Sequence, residues 1–247
     1  MADYVLEWDK TGEREYEVGV DHVVLYPLSS GGTYENGVAW NGFTGIDENP
    51  DGGDLNEIWA DNIKYATFQT PENAKGTLKA YMFPDEFYPC NGMVSPSGMS
   101  GLVYAGQKRK AFGLAYRTMI GSDASENAGY KIHLLYNCKV QPSSRSHATK
   151  SENVDPEEMS WEYSSTPVPV SGIDGVEQTS TVEIKSTDFQ AGQMAALLAV
   201  LYGTPAVAAD AQNGIEAAAA VPARLPTPGE VKTILAEAYD ENASGGT

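Results

Sequence analysis

Along much of the chain, apolar side chains alternate with polar ones at a period of two. Val18, Val20, His22, Val24 and Tyr26 fall on one side of an extended segment, and Ile63, Tyr65 and Thr67 on one side of another. Leu78, Ala80 and Met82 repeat the pattern. Phe112, Leu114, Tyr116, Thr118 and Ile120 alternate with Ala111, Gly113, Ala115 and Arg117. The longest case is Tyr130, Ile132, Leu134, Tyr136, Cys138 and Val140, interleaved with Lys131, His133, Asn137 and Lys139. Trp161 and Tyr163 alternate with Glu162 and Ser164, and Val182 and Ile184 with Glu183 and Lys185. Successive side chains of a strand point to opposite faces, so each run predicts a half-buried antiparallel strand. Short strands separated by Gly, Pro, Asn and Ser clusters predict a mostly β fold, an antiparallel β-sandwich or partly open barrel.

Helical spacing comes late. Met194, Leu197, Leu198 and Leu201 predict one flanking helix over 189–202, with Asp188 as its N-cap. Val231, Ile234, Leu235 and Ala238 form a second stripe. Its start, Thr227-Pro-Gly-Glu230, combines a capping box with Pro at the first helical position. The chain therefore divides into a β domain with its helix over 1–202, an Ala- and Pro-rich connector over 203–226, and a short C-terminal helix with a frayed tail over 227–247. Two stretches read as long loops, residues 29–62 and Cys90 to Gly106. The first carries Tyr34, Trp40, Phe43 and Trp59, which predicts that it packs on something, a second subunit included.

Within that first loop, residues 47–58 (DENPDGGDLNEI) approximate a calcium-binding loop. Asp47, Asn49, Asp51 and Gly52 satisfy positions 1, 3, 5 and 6. Position 12 is Ile58, the carboxylate comes one residue early at Glu57, Pro50 stiffens the run, and neither flank is helical. The reading is a long polar loop reaching into solvent, without a metal or other cofactor.

The formal net charge of −18 argues against nucleic-acid binding as the main task, since that affinity comes from neutralising phosphates. The charge is uneven. Residues 1–60 hold 13 acids and 2 bases, and residues 61–150 hold 6 acids and 11 bases. Segments of unlike sign on opposite surfaces would let copies meet head to tail, but charge alone favours solvated charges that merely cluster along the chain. No apolar run is long enough to span a membrane, and the start, MADYVLEWDK, lacks a signal-peptide core. The expected compartment is the cytoplasm, with Cys90 and Cys138 as thiols.

Candidate chemistry is sparse. His22 shares its predicted face with valines and reads as a core histidine; His133 sits among polar residues and His147 in a Ser-rich turn. None has metal-ligand spacing. Gly98-Met-Ser-Gly101 only approaches a nucleophile elbow. Lys108, Arg109 and Lys110 open a strand and read as an edge charge or a cationic interface. A structural or binding role is favoured over an enzyme.

The strands and connectors together resemble a known family. The strings are Tyr26-Pro-Leu-Ser-Ser-Gly-Gly-Thr-Tyr-Glu-Asn-Gly-Val-Ala-Trp40, Ala80-Tyr-Met-Phe-Pro-Asp-Glu-Phe87, Lys108-Arg-Lys-Ala-Phe-Gly-Leu-Ala-Tyr-Arg117, Lys131-Ile-His-Leu-Leu-Tyr-Asn-Cys-Lys-Val140 and Leu225-Pro-Thr-Pro-Gly-Glu-Val231. In order and spacing, over roughly 15–236, they resemble the major tail proteins of long-tailed bacteriophages that infect Gram-positive hosts. The resemblance implies a tail-tube-like β fold whose copies join strands into hexameric rings. Rings stack around a tape measure protein, tail terminator and distal tail proteins close the ends, and genomic DNA leaves through the bore without specific binding. It also implies a virion protein assembled in the host cytoplasm. A long early loop reaches between rings in such proteins, and residues 41–60 match it best. The interface residues so implied are Trp40, Phe43, Asp47, Asp51, Asp54, Leu55 and Trp59, and deleting 44–57 is expected to leave a folded monomer unable to polymerise. The Ala-rich connector over 203–226 departs from the family pattern. Other readings are a tube-capping or adaptor protein of the same fold, which would stop at one ring, and a carbohydrate- or host-surface-binding β-sandwich.

Overall fold

The computed structural model describes residues 6, 8–70, 72–99, 101–145, 147, 149, 156–208 and 217–244, the last five of these as backbone only. The strands are β1 (Glu15–Pro27), β2 (Val38–Ala39), β3 (Phe43–Glu48), β4 (Asp51–Gly52), β5 (Leu55–Ala60), β6 (Ile63–Gln69), β7 (Glu72–Asn73) and β8 (Lys75–Ala80). They continue as β9 (Phe112–Ser122), β10 (Gly129–Val140), β11 (Met159–Ser165), β12 (Val168–Pro169), β13 (Gln178–Thr179) and β14 (Thr181–Lys185). Two helices follow, α1 (Ala191–Tyr202) and α2 (Pro228–Ser244). The fold is mostly β, with one large antiparallel sheet and flanking helices.

That sheet runs β2-β1-β9-β10-β11-β8-β3, with β14 also on β10. It curls, because strands from its two ends share one core. Val23, Leu25 and Leu114 pack with Leu78, Ala80 and Trp161 inside the curl. The outer face is buried too. Val24, Tyr26, Ile132 and Leu134 lie under Met194 and Leu201 of α1 and Leu235 of α2. Tyr26 donates its hydroxyl proton to the Leu201 carbonyl at 2.7 Å, tying β1 to the end of α1. Gln193 of α1 donates to the Leu235 carbonyl of α2 at 2.6 Å, which satisfies a buried amide between the helices.

Bulges redirect two of the faces predicted for the main sheet. In β10, Asn137 adopts φ +50°, and the register shifts between Leu135 and Cys138. Tyr136 therefore faces the helices, while Cys138 and Val140 join the inner core with Leu135. The same kink separates the partners of β10: β14 pairs along Lys131–Leu135 and β11 along Cys138–Val140. In β1, shifts flank Asp21, with Gly19 at φ +68° and His22 at φ +49°. The bulge turns His22 outward, beside Asp21 at 3.0 Å, so it is not a core histidine. Met82 lies past the end of β8 and is 66% exposed. Its carbonyl accepts the indole N–H of Trp40.

Helix α1 is capped by Gln190 rather than Asp188, and the Gln193 side chain accepts the Gln190 backbone N–H at 2.9 Å. At α2 the Thr227–Glu230 capping box forms as read from the sequence. The connector is more ordered than its composition predicts. Thr204 pairs with Val221 and Val207 with Ala218 in antiparallel bridges, and the Tyr136 hydroxyl donates to the Pro226 carbonyl. Residues 209–216 lie outside the described residues. Between Cys90 and Gly106 a Val94–Tyr104 bridge closes the second long stretch. Cys90 and Cys138 are buried free thiols, and burial raises both, Cys90 to about 12.

Candidate assembly interface

Residues 43–70 and 72–80, most of the expected first loop included, form one long bent ribbon. Its base is β3 on β8, from Phe43↔Ala80 to Glu48↔Gly76, inside the main sheet. Its middle is β4 on β7, Asp51↔Asn73 and Gly52↔Glu72. Its tip is β5 on β6, from Leu55↔Gln69 to Ala60↔Ile63. Pro50 cannot donate to a ladder, and Gly52 and Gly53 take φ +95° and +74°, which side-chain-bearing residues rarely adopt. These three residues bend the ribbon away from the sheet. The neck is closed by the Thr70 N–H donating to the Asp54 carbonyl at 2.9 Å.

The tip turns on Asp61 and Asn62, at φ +51° and +61°. A two-residue turn with both residues left-handed matches the twist of the strands it joins, and Asp and Asn tolerate that conformation better than most residues. One bulge, between Ile58 and Trp59, leaves Tyr65 unpaired on β6. Ile63, Tyr65 and Thr67 therefore do not share a face. The register gives one uncharged side, with Ile58, Ala60, Ile63, Ala66 and Phe68. The other side carries Leu55 and Trp59 together with a Glu57–Lys64 ion pair.

Most of this tip is bare. Leu55, Ile58, Trp59, Ile63, Tyr65 and Phe68 are all between 48% and 73% exposed. A cluster of exposed apolar side chains on one projecting element marks an interaction surface. The tip pairs only with itself among the described residues, and an isolated two-stranded hairpin is marginally stable in water.

Of the residues implied by the resemblance, only Leu55 and Trp59 reach the tip surface. Trp40 is core, 4% exposed, and Phe43 packs edge-on against it at 5.4 Å. Both are aromatic residues at the base of the ribbon, where the sheet has an inner face to fill. Asp47 and Asp51 lie along the ribbon and not around one ion: Asp47 meets Lys79 at 2.7 Å and Asp51 meets Lys75 at 3.9 Å. The hydrogen bond from Lys79 to Asp47 raises the lysine. Asp54 is exposed at the neck. Lys108, Arg109 and Lys110 precede β9 instead of opening it. The Lys110 backbone N–H donates to the Pro89 carbonyl, and its ammonium lies 3.8 Å from Glu35. Ile58, Ile63, Tyr65 and Phe68 went unpredicted as interface residues. The signal for them was the Asp61-Asn62 pair between two short strand-like runs.

The unlike charges of the two segments do not part to opposite surfaces. They meet across neighbouring strands. Arg117 binds Asp21 with two hydrogen bonds of 2.7 and 2.8 Å. Lys131 binds Glu17 at 2.7 Å and lies 3.4 Å from Glu183, and Lys185 binds Glu15. His133, 7% exposed, stacks on Tyr116 and reaches Glu17 at 3.1 Å. Burial acts to raise the Glu17 carboxyl. Hydrogen bonds from Lys131 and Thr118, with the charges of Lys131 and His133, outweigh that and bring it down to about 2.

No family model matches the chain, and no curated protein matches it. No helix among the described residues is long and apolar enough to cross a membrane. Among the described residues there is also no cluster of three or more His, Cys, Asp or Glu side chains that could hold a metal ion.

Proposed function

We propose that the chain is the structural subunit of a bacteriophage tail tube. Copies join edge to edge into hexameric rings, and the rings stack into a hollow conduit around a tape measure protein, bounded by tail terminator and distal tail proteins. The subunit assembles in the host cytoplasm and works in the virion, where genomic DNA leaves through the bore. Its role is architectural and not catalytic.

The observation that carries this reading is the bare apolar ribbon tip. A chain that leaves six large apolar side chains on one projecting hairpin needs something to cover them. The sheet adds a second support. Among the described residues, β3 pairs only with β8, and the Glu15–Asp21 half of β1 pairs only with β9. Such edges accept another strand. The acidity of the chain suits a conduit through which a polyanion must slide.

The test is electron microscopy of the concentrated protein, alone and with a tail-tip complex as initiator. Hollow tubes of uniform width are expected. Particles that stop at one ring in both samples would reassign the chain to the capping class, and monomers that bind cell-wall material would reassign it to the surface-binding class. A shortened chain sharpens the test. Removing 44–57 would take most of β3 out of the sheet, so the correct excision is 55–69 with Asp54 joined to Thr70. That chain should fold and fail to stack.

A further inference from the structure

A stack that grows without closing needs two unlike surfaces on each copy. Tip-to-tip pairing is self-complementary and ends at a dimer. A tip that builds a polymer must therefore meet a different surface on its neighbour.

The described chain offers one surface of matching chemistry. An open groove of about 720 Å³ runs between α2 and β14, floored by Val182, Ile184, Phe189, Val231 and Leu235. It continues the outer core, which the helices cover only in part. Val176, 39% exposed, and Tyr239, 51% exposed, also line it. Two other clefts fit the tip less well. The one at the ribbon base is lined by Glu48, Glu72, Lys75 and Glu183, which an apolar hairpin would strip of water without replacing the lost hydrogen bonds. The one beside Tyr34 and Leu225 includes both members of the Arg224–Glu230 ion pair.

We propose that the ribbon tip of one copy seats its uncharged face, Ile58, Ile63 and Phe68, in the α2–β14 groove of a second copy. The proposal rests on the tube reading for its open-ended geometry. Charge agrees with apolar fit. The seated face carries no ionisable group, and Asp61 at the turn is opposite in sign to Lys232 at the groove, while Lys64 and Glu183 are held within the subunit by Glu57 and Lys131. Seating covers the apolar groups that both surfaces leave in water.

The experiment splits the contact between two chains. One keeps the tip but carries Ala236→Trp, an exposed groove position whose indole fills the groove from the solvent side without replacing a buried residue. The other keeps the groove but lacks 55–69. Neither chain should stack alone. Both chains keep their sheet edges, so the readout is the sedimenting mass: particles of each chain, formed separately and then mixed, should double in mass, and adding Phe68→Ser to the first chain should abolish the doubling. Val176→Asp in the second chain, another exposed lining position, should abolish it as well, while circular dichroism shows both chains folded. Failure of the two chains to associate, where the unmodified protein forms tubes, would overturn the groove assignment and leave the tube reading standing. Association of the pair, where the unmodified protein stops at one ring, would uphold the groove and sink the tube. Self-association of the chain carrying Ala236→Trp through Phe68 would overturn the groove in favour of tip-to-tip pairing.

Discussion

Replacing Ile58, Ile63 and Phe68 together by Ala tests whether the ribbon tip works between copies or within one. These side chains are 48%, 63% and 58% exposed. Burying an apolar side chain of this size fully is worth about 1.5–3 kcal/mol. Roughly half of each remains to be covered, so docking gains about 1 kcal/mol per side chain, and the triple change removes about 2–3 kcal/mol per contact. At about 1.4 kcal/mol per tenfold, the critical concentration for polymerisation should rise by about a hundredfold. The monomer should barely notice, because exposed substitutions typically move stability by no more than about 0.5 kcal/mol each. Sedimentation of polymer across a concentration series gives the first quantity, and calorimetry of the monomer gives the second. An unchanged critical concentration would refute the reasoning outright. A large drop in monomer melting temperature would refute it differently, by making the tip part of the folded core.

Three further expectations follow from the geometry. Glu17 has its folded pKa near 2, below its unfolded value, so its contribution is complete above about pH 4.5 and lost as the pH falls toward 2. At 37% exposure, screening limits that contribution to about 1 kcal/mol, and Glu17→Gln should lower the melting temperature at pH 7 but not at pH 2; an equal gap at both would count against the pairing. Tyr26→Phe removes a buried hydroxyl from the Leu201 carbonyl and should cost about 1–2 kcal/mol in chemical denaturation, whereas an unchanged midpoint would deny that tie between β1 and α1. Asn62→Gly should leave the tip intact, while Asn62→Val forces a branched side chain into left-handed backbone at a cost of about 1–2 kcal/mol. Hydrogen exchange at the tip amides should speed up for Val alone.

The strands of the inner and outer cores were legible because one or both of their faces are buried, and burial is what writes alternation into a sequence. Trp161 and Tyr163 on β11 are the plainest case, buried while Glu162 and Ser164 are exposed. Where the chain bulges, the same rule misleads. A period of two carries Tyr136 and Cys138 to one face, and the left-handed turn at Asn137 sends them to opposite cores. The tip was illegible for a different reason. Neither of its faces is buried in the subunit, so LNEIWA carries no alternation and reads as loop, while the alternation of Ile63, Tyr65 and Thr67 in IKYATFQ predicts a strand but groups residues that the bulge separates. Trp40 and Trp59 look alike in sequence, and only the ribbon separates them: one lies at its base against the core and the other at its far end in solvent. The placement of charge was illegible because pairing across strands joins residues far apart in the chain, such as Asp21 and Arg117.

The two-residue turn also makes the ribbon tip a ruler. With six residues in β5 and about 3.3 Å of rise per residue, the tip extends roughly 20 Å beyond its neck. In the proposed tube a neighbour would be gripped only within that distance of the neck, so strand length would limit how far apart stacked copies can lie. Because side chains repeat every second residue, the ruler can be lengthened only in steps of one residue pair per strand, about 7 Å each, if the uncharged face is to stay on the same side.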